Sequence, residues 1–242
     1  MKVEFVWQVP KDLSNPELNE DEYRMDKGSS LIVLCDGASE SFDSKTWAAI
    51  LANKFLNGQS IDRDWIDDVT SSYRAQFDCQ KMSWSQLAAF ERGSFSTFLG
   101  IKYSPSDNYV EIIGIGDTIA LLLNDNEIID SFPYTSAKEF EKRPQLLSTN
   151  SEHNSFLFSS GFMALHKKIW RIDWEKNTRL LFMTDALAEW TLRGGRVENS
   201  SLSKLLQIGT DKEFEDLVLS ERRMKKMRLD DTTLVNVIFA GE

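Results

Sequence analysis

A set of aspartates stands where apolar runs end. Asp36 closes Leu31-Ile32-Val33-Leu34-Cys35 and is followed by Gly37. Asp117 sits between two apolar runs in Ile115-Gly116-Asp117-Thr118, and Asp185 closes Leu180-Leu181-Phe182-Met183-Thr184. Asp230 and Asp231 immediately precede the apolar stretch Thr233 to Phe239. A carboxylate at the mouth of a buried strand is partly desolvated, which is costly unless it is paired or liganded. Several such groups converging on one end of a sheet repel one another. A hard cation such as Mg²⁺ or Mn²⁺, which prefers oxygen ligands, turns that repulsion into a binding site. Taken singly, each aspartate reads equally well as a turn former or a helix N-cap. Asp107 and Asp125, in Pro105-Ser106-Asp107-Asn108 and Asn124-Asp125-Asn126, read as turn formers. The metal reading rests on the set.

The elements that must position these residues follow from hydrophobic period. Lys2 to Trp7 alternates as a strand, Asn19 to Tyr23 leads into a second, and Ser30 to Cys35 is a buried one. A helix is expected from Ser44, with Trp47, Ile50, Leu51, Phe55 and Leu56 on one face, and two more over 61–77 and 83–91. The period then changes to two. The runs 94–103, 109–115, 118–123 and 127–132 read as an antiparallel meander, with turn residues between them. Residues 134–153 read as irregular. A hairpin is expected from 169–174 and 179–183 around Glu175-Lys176-Asn177, then helices near 186–192, 202–208 and 212–227, and a closing strand over 232–239. Strands at both ends, helices in two blocks and a central meander predict an α+β architecture of antiparallel sheets covered by helices. Trp47, Trp65, Trp84 and Trp190 fall on apolar helix faces and read as core.

The bulk properties bound the function. The 242 residues, 41% of them hydrophobic, suit one large domain over 1–242 and show no Gly/Ser-rich linker. A formal net charge of −10 argues against nucleic acid as substrate, and so against a two-metal nuclease, because phosphate backbones demand a basic footprint. The basic run Glu221-Arg222-Arg223-Met224-Lys225-Lys226-Met227-Arg228 reads as a solvated helix face flanking the site. Cys35 and Cys79 form no metal-binding pair by spacing and fit a reducing cytoplasm. Met1 to Phe5 lacks the apolar core of a signal peptide, and no apolar run approaches the ~20 residues of a membrane span. The expectation is a cytoplasmic protein with no membrane partner.

The motif order resembles that of the metal-dependent serine/threonine protein phosphatases of type 2C, in a stand-alone bacterial form. Asn19-Glu20-Asp21 resembles that family's early Asn-Glu-Asp segment, and Leu34-Cys35-Asp36-Gly37 its Asp-Gly turn. Gly93 to Thr97, Gly116-Asp117-Thr118, Met183 to Leu187 and Asp230-Asp231-Thr232-Thr233 resemble four further motifs, in order, from Asn19 to Phe239. The resemblance implies a four-layer fold of two packed antiparallel sheets flanked by helices. It implies two or three Mg²⁺ or Mn²⁺ ions and hydrolysis of phosphoserine or phosphothreonine on proteins by a metal-activated water. Asp36 would bridge two metals. The Gly37 carbonyl and Glu20 would hold one, Asp185 and Asp230 the other. Asp117, Asp185 and Glu189 would form an additional site, with Asp21 supporting the Glu20 side. Asp36, Asp185 and Asp230 are thus the expected catalytic set. The partner would be a phosphorylated protein, a cognate serine/threonine kinase or its target.

Three positions depart from the family pattern. Pro16 stands where many relatives carry a phosphate-holding arginine, leaving Lys11, Arg24 or Lys27 as replacements. Ser39-Glu40 replaces Gly-Gly, and Ala38 stands where some eukaryotic relatives have a histidine used as a general acid. His153 and His166 read as loop or surface residues. The alternative reading is a catalytically impaired pseudophosphatase that serves as a regulatory or protein-binding module.

Overall fold

Strands that are apolar on both faces must be covered on both sides, and that requirement sets the layering here. The computed structural model describes residues 1–26, 30–57, 61–195 and 199–239. In chain order the strands and helices are β1 (Lys2–Val9), β2 (Asp21–Asp26), β3 (Leu31–Asp36), α1 (Ser44–Asn57), α2 (Arg63–Arg74) and α3 (Trp84–Arg92). They continue with β4 (Phe95–Ser96), β5 (Phe98–Ser104), β6 (Tyr109–Ile115), β7 (Ile119–Asn124), β8 (Glu127–Phe132) and β9 (Leu147–Ser148). The chain then forms α4 (Phe162–His166), β10 (Lys167–Arg171), β11 (Thr178–Met183), α5 (Asp185–Leu192), α6 (Ser200–Leu206), α7 (Asp211–Arg223) and β12 (Thr232–Ile238). The stretch expected to be irregular, 134–153, holds the 3₁₀ segment Ala137–Glu141, and a second, Ser151–Phe158, begins at its end.

Two five-stranded antiparallel sheets pack face to face, in the orders β1-β12-β11-β7-β8 and β10-β6-β5-β3-β2. Ile32, Leu34, Leu99, Ile101 and Ile112 of one sheet meet Ala120, Leu180, Phe182, Val235 and Val237 of the other in a central core. Leu31, Val33 and Cys35, on the opposite face of β3, pack under Trp47, Leu51 and Phe55 of α1 and Val69 and Tyr73 of α2. Leu121, Leu181 and Leu234 pack under Leu187 and Trp190 of α5, Leu202 of α6 and Phe214 of α7. The order is helix, sheet, sheet, helix, as expected. No helix among the described residues is long and apolar enough to cross a membrane.

Three expectations are corrected. The four strands over 94–132 are not one meander. They form two hairpins, β5–β6 and β7–β8, one in each sheet, because the chain crosses between sheets at Gly116-Asp117. β10 and β11 are strands but not a hairpin. β10 pairs with β6 and β11 with β7 and β12, so this turn also changes sheet. Trp84 is not core. It opens α3 at 85% exposure, whereas Trp47, Trp65 and Trp190 are buried. The apolar stripe of α3 is completed by Phe90 alone among fully buried positions, which leaves the first turn facing solvent.

Candidate active site

Strand register gathers the aspartates. Asp36, at the end of β3, lies opposite Asp21 at the start of β2. Strand β5, the other neighbour of β3, begins at Phe98 opposite Ile115, the last residue of β6. Gly116-Asp117 then cross to the second sheet, where Ile119 opens β7 opposite Met183, the end of β11. Met183 also pairs with Leu234, near the start of β12. Asp36, Asp117, Asp185 and Asp230 therefore sit on one end of the sandwich. They line a single cavity of about 440 Å³, together with Gly37, Thr97, Lys142 and Arg228.

The backbone around Asp36 is held from three sides. Its N–H donates to Thr97 Oγ1 at 2.8 Å, and its carbonyl accepts from the Thr97 N–H and the Ser96 hydroxyl, each at 2.9 Å. Thr97 Oγ1 in turn meets Thr118 Oγ1 at 2.7 Å, next to Asp117. Gly37 is required by close approach, since a Cβ there would lie 2.9 Å from Ser44 Cβ and 3.0 Å from the Ser44 backbone at the start of α1. Gly116 is required by conformation. Its φ is +99°, and a Cβ would fall 2.8 Å from Thr97 Cγ2.

Asp21 forms a strut between the sheets. Its Oδ2 accepts from Thr184 Oγ1 at 3.1 Å and Thr233 Oγ1 at 2.6 Å, and the Thr233 N–H donates to Thr184 Oγ1 at 2.9 Å. Thr184 is the N-cap residue of α5, so the strut locates Asp185 in the first turn of that helix. Asp21 thus supports the Asp185 side of the site. The Glu20 side, which the resemblance assigns to it, is held instead by Asp231, whose carboxylate accepts the Glu20 N–H at 2.9 Å and the Lys11 N–H at 2.7 Å.

The electrostatics show an excess of negative charge in a desolvated place. Burial, then repulsion from Asp21, Asp185, Asp230 and Asp117, pushes the Asp36 carboxyl well above its usual range. Burial pushes Asp185 up to about 7, against the pull of Arg228 and with repulsion from Asp117 and Asp230. Burial likewise raises Asp117 and Asp230. Asp185 Oδ1 is fully buried and accepts no hydrogen bond.

These observations bear on whether a divalent cation fits. The donors are hard oxygens, their charges are uncompensated, and one buried oxygen lacks a partner, so the chemistry suits Mg²⁺ or Mn²⁺. Among the described residues, no group of three or more His, Cys, Asp or Glu side chains is placed so that it could hold a metal ion. Of the expected ligands, Asp36, Gly37, Asp117, Asp185 and Asp230 line the cavity, whereas Glu20 and Glu189 do not. Glu20 is taken up by Lys11 Nζ, Ser44 Oγ and, at 2.5 Å, Ser39 Oγ. Burial raises its carboxyl, but these hydrogen bonds and the Lys11 charge bring it below the usual range. Glu189 pairs with Arg193 and Arg228.

The structure adds residues the sequence reading passed over. Arg228 reaches Asp185 Oδ2 at 2.9 Å and Glu189 Oε2 at 3.0 Å. Arg222 donates to the carbonyls of Val9, Pro10 and Asp230 and, at 2.9 Å, to Thr232 Oγ1, which holds the Asp230 loop in place. The basic run 221–228 is therefore not a solvated face throughout, because Arg222 is half-buried and Arg228, though exposed, reaches back to Asp185 and Glu189. A run of basic residues gives no sign of which members make such contacts. Of the three cations weighed for Pro16, Lys11 stands beside Glu20 and Ser39, Arg24 pairs with Glu22, and Lys27 lies outside the described residues. Lys142 lines the cavity and pairs with no carboxylate among the described residues. Neither His153 nor His166 lines it.

No protein-family model matches the chain, and no curated protein matches it by sequence. Solved structures do match in shape. A bacterial serine phosphatase superposes with a TM-score of 0.61 at 16% identity, covering 100% of this chain and 99% of that one. The serine/threonine phosphatase Stp1 from Staphylococcus aureus gives 0.59 at 16% identity, over 100% and 96%. The catalytic domain of the serine/threonine protein phosphatase PstP, solved in complex with two manganese ions, gives 0.56 at 16% identity, over 98% and 97%. The chain therefore has the fold of these bacterial phosphatases along its whole length.

Proposed function

We propose that this chain is a Mg²⁺- or Mn²⁺-dependent hydrolase of phosphoserine and phosphothreonine on proteins, acting in the cytoplasm on the product of a serine/threonine kinase. The observation that carries the reading is the cavity in which Asp36, Asp117, Asp185 and Asp230 face one another, on a fold shared with serine/threonine phosphatases. The two manganese ions of the PstP domain support a divalent requirement.

The chain's own groups divide the work. Asp36 supplies oxygens from one sheet, and Asp185 and Asp230 supply them from the ends of strands of the other. When bound, a divalent cation offsets charge on the phosphoryl oxygens and acidifies water beside them. Lys142, at the cavity wall, attracts a phosphoryl oxygen and takes the part that Pro16 cannot play. Thr97 and the Asp21 strut hold the carboxylates in place, so that little reorganisation accompanies the reaction. No thiol is needed. Cys35 is buried in the core and Cys79 is exposed in the segment before α3.

Initial rates on p-nitrophenyl phosphate and a phosphothreonine peptide, measured against Mn²⁺ concentration, test the proposal. Turnover should need added metal and vanish with chelator. It should persist in Cys79→Ser and in Asp125→Ala, a turn residue with φ of +51°. Asp36→Ala and Asp185→Ala should each lower kcat by at least about 100-fold, equivalent to roughly 2.7 kcal/mol of barrier. A specific observation favours the second reading, an impaired phosphatase that binds without turning over. Pro16 heads an exposed 3₁₀ turn, and Glu20 is already occupied by Lys11. Well-folded protein that shows no metal-dependent turnover on either substrate would establish that second reading.

A further inference from the structure

We infer that the groove beside the carboxylate cavity takes the polypeptide around the phosphoresidue, and that Arg143 and His153 select substrates with an aspartate or glutamate close to the phosphoserine or phosphothreonine. The inference rests on the phosphatase reading above and adds to it a preference for acidic sequence.

The groove, of about 1310 Å³, adjoins the cavity. Ala38, Ser39, Glu40, Pro144, Leu146 and Asp230 line both. A recess of about 220 Å³ adjoins the groove in turn and shares Phe95, Arg143, Pro144, Leu146 and His153 with it. Pro144 and Leu146 line all three spaces, so the recess and the cavity meet at one short segment. A polypeptide whose phosphorylated side chain enters the cavity therefore has the groove and its recess beside it.

Two successive basic residues serve the two spaces. Lys142 lines the cavity and not the recess, whereas Arg143 lines the groove and the recess and not the cavity. The backbone at Lys142 is extended, with φ of −94° and ψ of 146°, and successive side chains of extended backbone leave on opposite sides. With Lys142 at the phosphoryl group, Arg143 is placed to meet the sequence beside it. The Arg143 side chain makes no hydrogen bond or ion pair with any described residue, so its donors are open to a ligand. Arg92, at the end of α3, lines the groove and is equally without a carboxylate partner among the described residues.

The charge in the recess has one sign. Glu40, Glu91 and Asp230 line the groove but not the recess, whose polar side chains are Arg143, Gln145 and His153. A guanidinium can hold a carboxylate by two parallel hydrogen bonds, and the imidazole and the amide add N–H donors in any tautomer or flip. The chain as a whole carries −10 and repels an acidic segment, but salt screens that repulsion beyond about 8 Å, so the recess decides at contact. The recess is also firmly built. β9 pairs with β4, Asn154 bonds both backbone groups of Ser148, at 2.9 and 2.8 Å, and the Leu147 carbonyl accepts from the Trp47 indole at 2.9 Å. The His153 ring meets Phe95 edge-on, with centroids 5.1 Å apart, and Phe95 stands two residues before Thr97, which holds the Asp36 N–H. Recess and candidate site thus share one framework, and rigid support is what selective recognition needs.

The test compares two phosphothreonine peptides that differ only in their flanks, glutamates in one and glutamines in the other, in the presence of Mn²⁺. Wild-type protein should favour the glutamate peptide by about fivefold in kcat/KM, carried by KM, the upper range for an ion pair with an exposed guanidinium. Because the readout is a ratio, a general loss of turnover in a variant cancels. Arg143→Gln should abolish the preference, Arg143→Glu should invert it, and Arg143→Lys should keep part of it. Added salt should weaken it. Circular dichroism establishes that each variant is folded. A wild-type protein without the preference, or a preference that survives in Arg143→Gln and Arg143→Glu, overturns the inference and leaves the phosphatase reading intact. Wild-type protein that turns over neither peptide removes the phosphatase reading alone, and fluorescence anisotropy of the same labelled peptides then supplies the ratio as dissociation constants. Tighter binding of the glutamate peptide that is lost in Arg143→Gln upholds the acidic preference, and equal or absent binding of the two peptides overturns it.

Discussion

At the scale of single residues, Asp185 concentrates the conflict in the site. Its carboxyl is pushed up to about 7, first by burial and then by Asp117 and Asp230, despite the guanidinium of Arg228 at 2.9 Å. In an unfolded chain the same group titrates at about 3.9. Between those values the folded protein holds a proton that the unfolded chain has lost. Stability from this group is therefore full below about pH 4 and declines as pH rises to about 7, then levels off. Asparagine imitates the protonated form. In chelator, Asp185→Asn should be more stable than wild type by about 1–3 kcal/mol at pH 8, and the gap should close by about pH 4. Urea unfolding at several pH values measures this. A gap that widens toward low pH would contradict the assigned direction of the shift. Added Mn²⁺ should reverse the order at pH 8, because the carboxylate is then an asset.

At the scale of elements, the turns that change sheet call for the closest mutational test. Gly116 carries the chain from β6 to β7 with φ of +99° and no room for a Cβ beside Thr97. Gly116→Ala should cost about 2–4 kcal/mol, combining the left-handed strain with the contact against Thr97. It should also weaken metal binding, because Thr97 holds the Asp36 N–H and Asp117 is the next residue along the chain. A Gly116→Ala protein with wild-type stability and affinity would show that this turn does not set the site. The same turns explain what is legible in the sequence. Runs such as Leu31 to Cys35 announce a strand buried on both faces, and an aspartate at the end of each run announces a strand mouth. The covering of the sheets by helices is therefore readable from local pattern, whereas the four layers and the carboxylate roles come from the resemblance. Pairing is not readable from local pattern. The stretch Ile169 to Met183 reads as a hairpin, yet its two strands join different sheets, since partners at positions 109–113 and 119–124 decide the matter. Arg228 is hidden for a related reason. Its role depends on Asp185 and Glu189, more than thirty residues away, and nothing in a run of basic residues points to them.

At the scale of the whole molecule, the site is a joint between two sheets. Asp36 ends a strand of one sheet, whereas Asp185 and Asp230 adjoin β11 and β12 of the other. In the proposed reading, an ion shared by these carboxylates would tie the sheets together at the end where their charges otherwise drive them apart. Metal should therefore act on global stability. Mn²⁺ at about 100 times its Kd adds about 2.7 kcal/mol by mass action. For a chain of this size that corresponds to a rise in Tm of roughly 5–10 °C. Removing Asp36 separates the two effects. In chelator, Asp36→Ala should melt above wild type, because a buried carboxyl crowded by Asp21, Asp185, Asp230 and Asp117 has gone. With Mn²⁺ it should melt below wild type, because one sheet no longer reaches the ion. The curves for the two proteins should thus cross as metal is added, while Asp125→Ala follows wild type throughout. Thermal melts over a Mn²⁺ titration read this directly. An Asp36→Ala protein whose Tm climbs with Mn²⁺ as steeply as wild type would place the ion on one sheet only. The joint would then be carried by the Asp21 strut to Thr184 and Thr233 and not by metal.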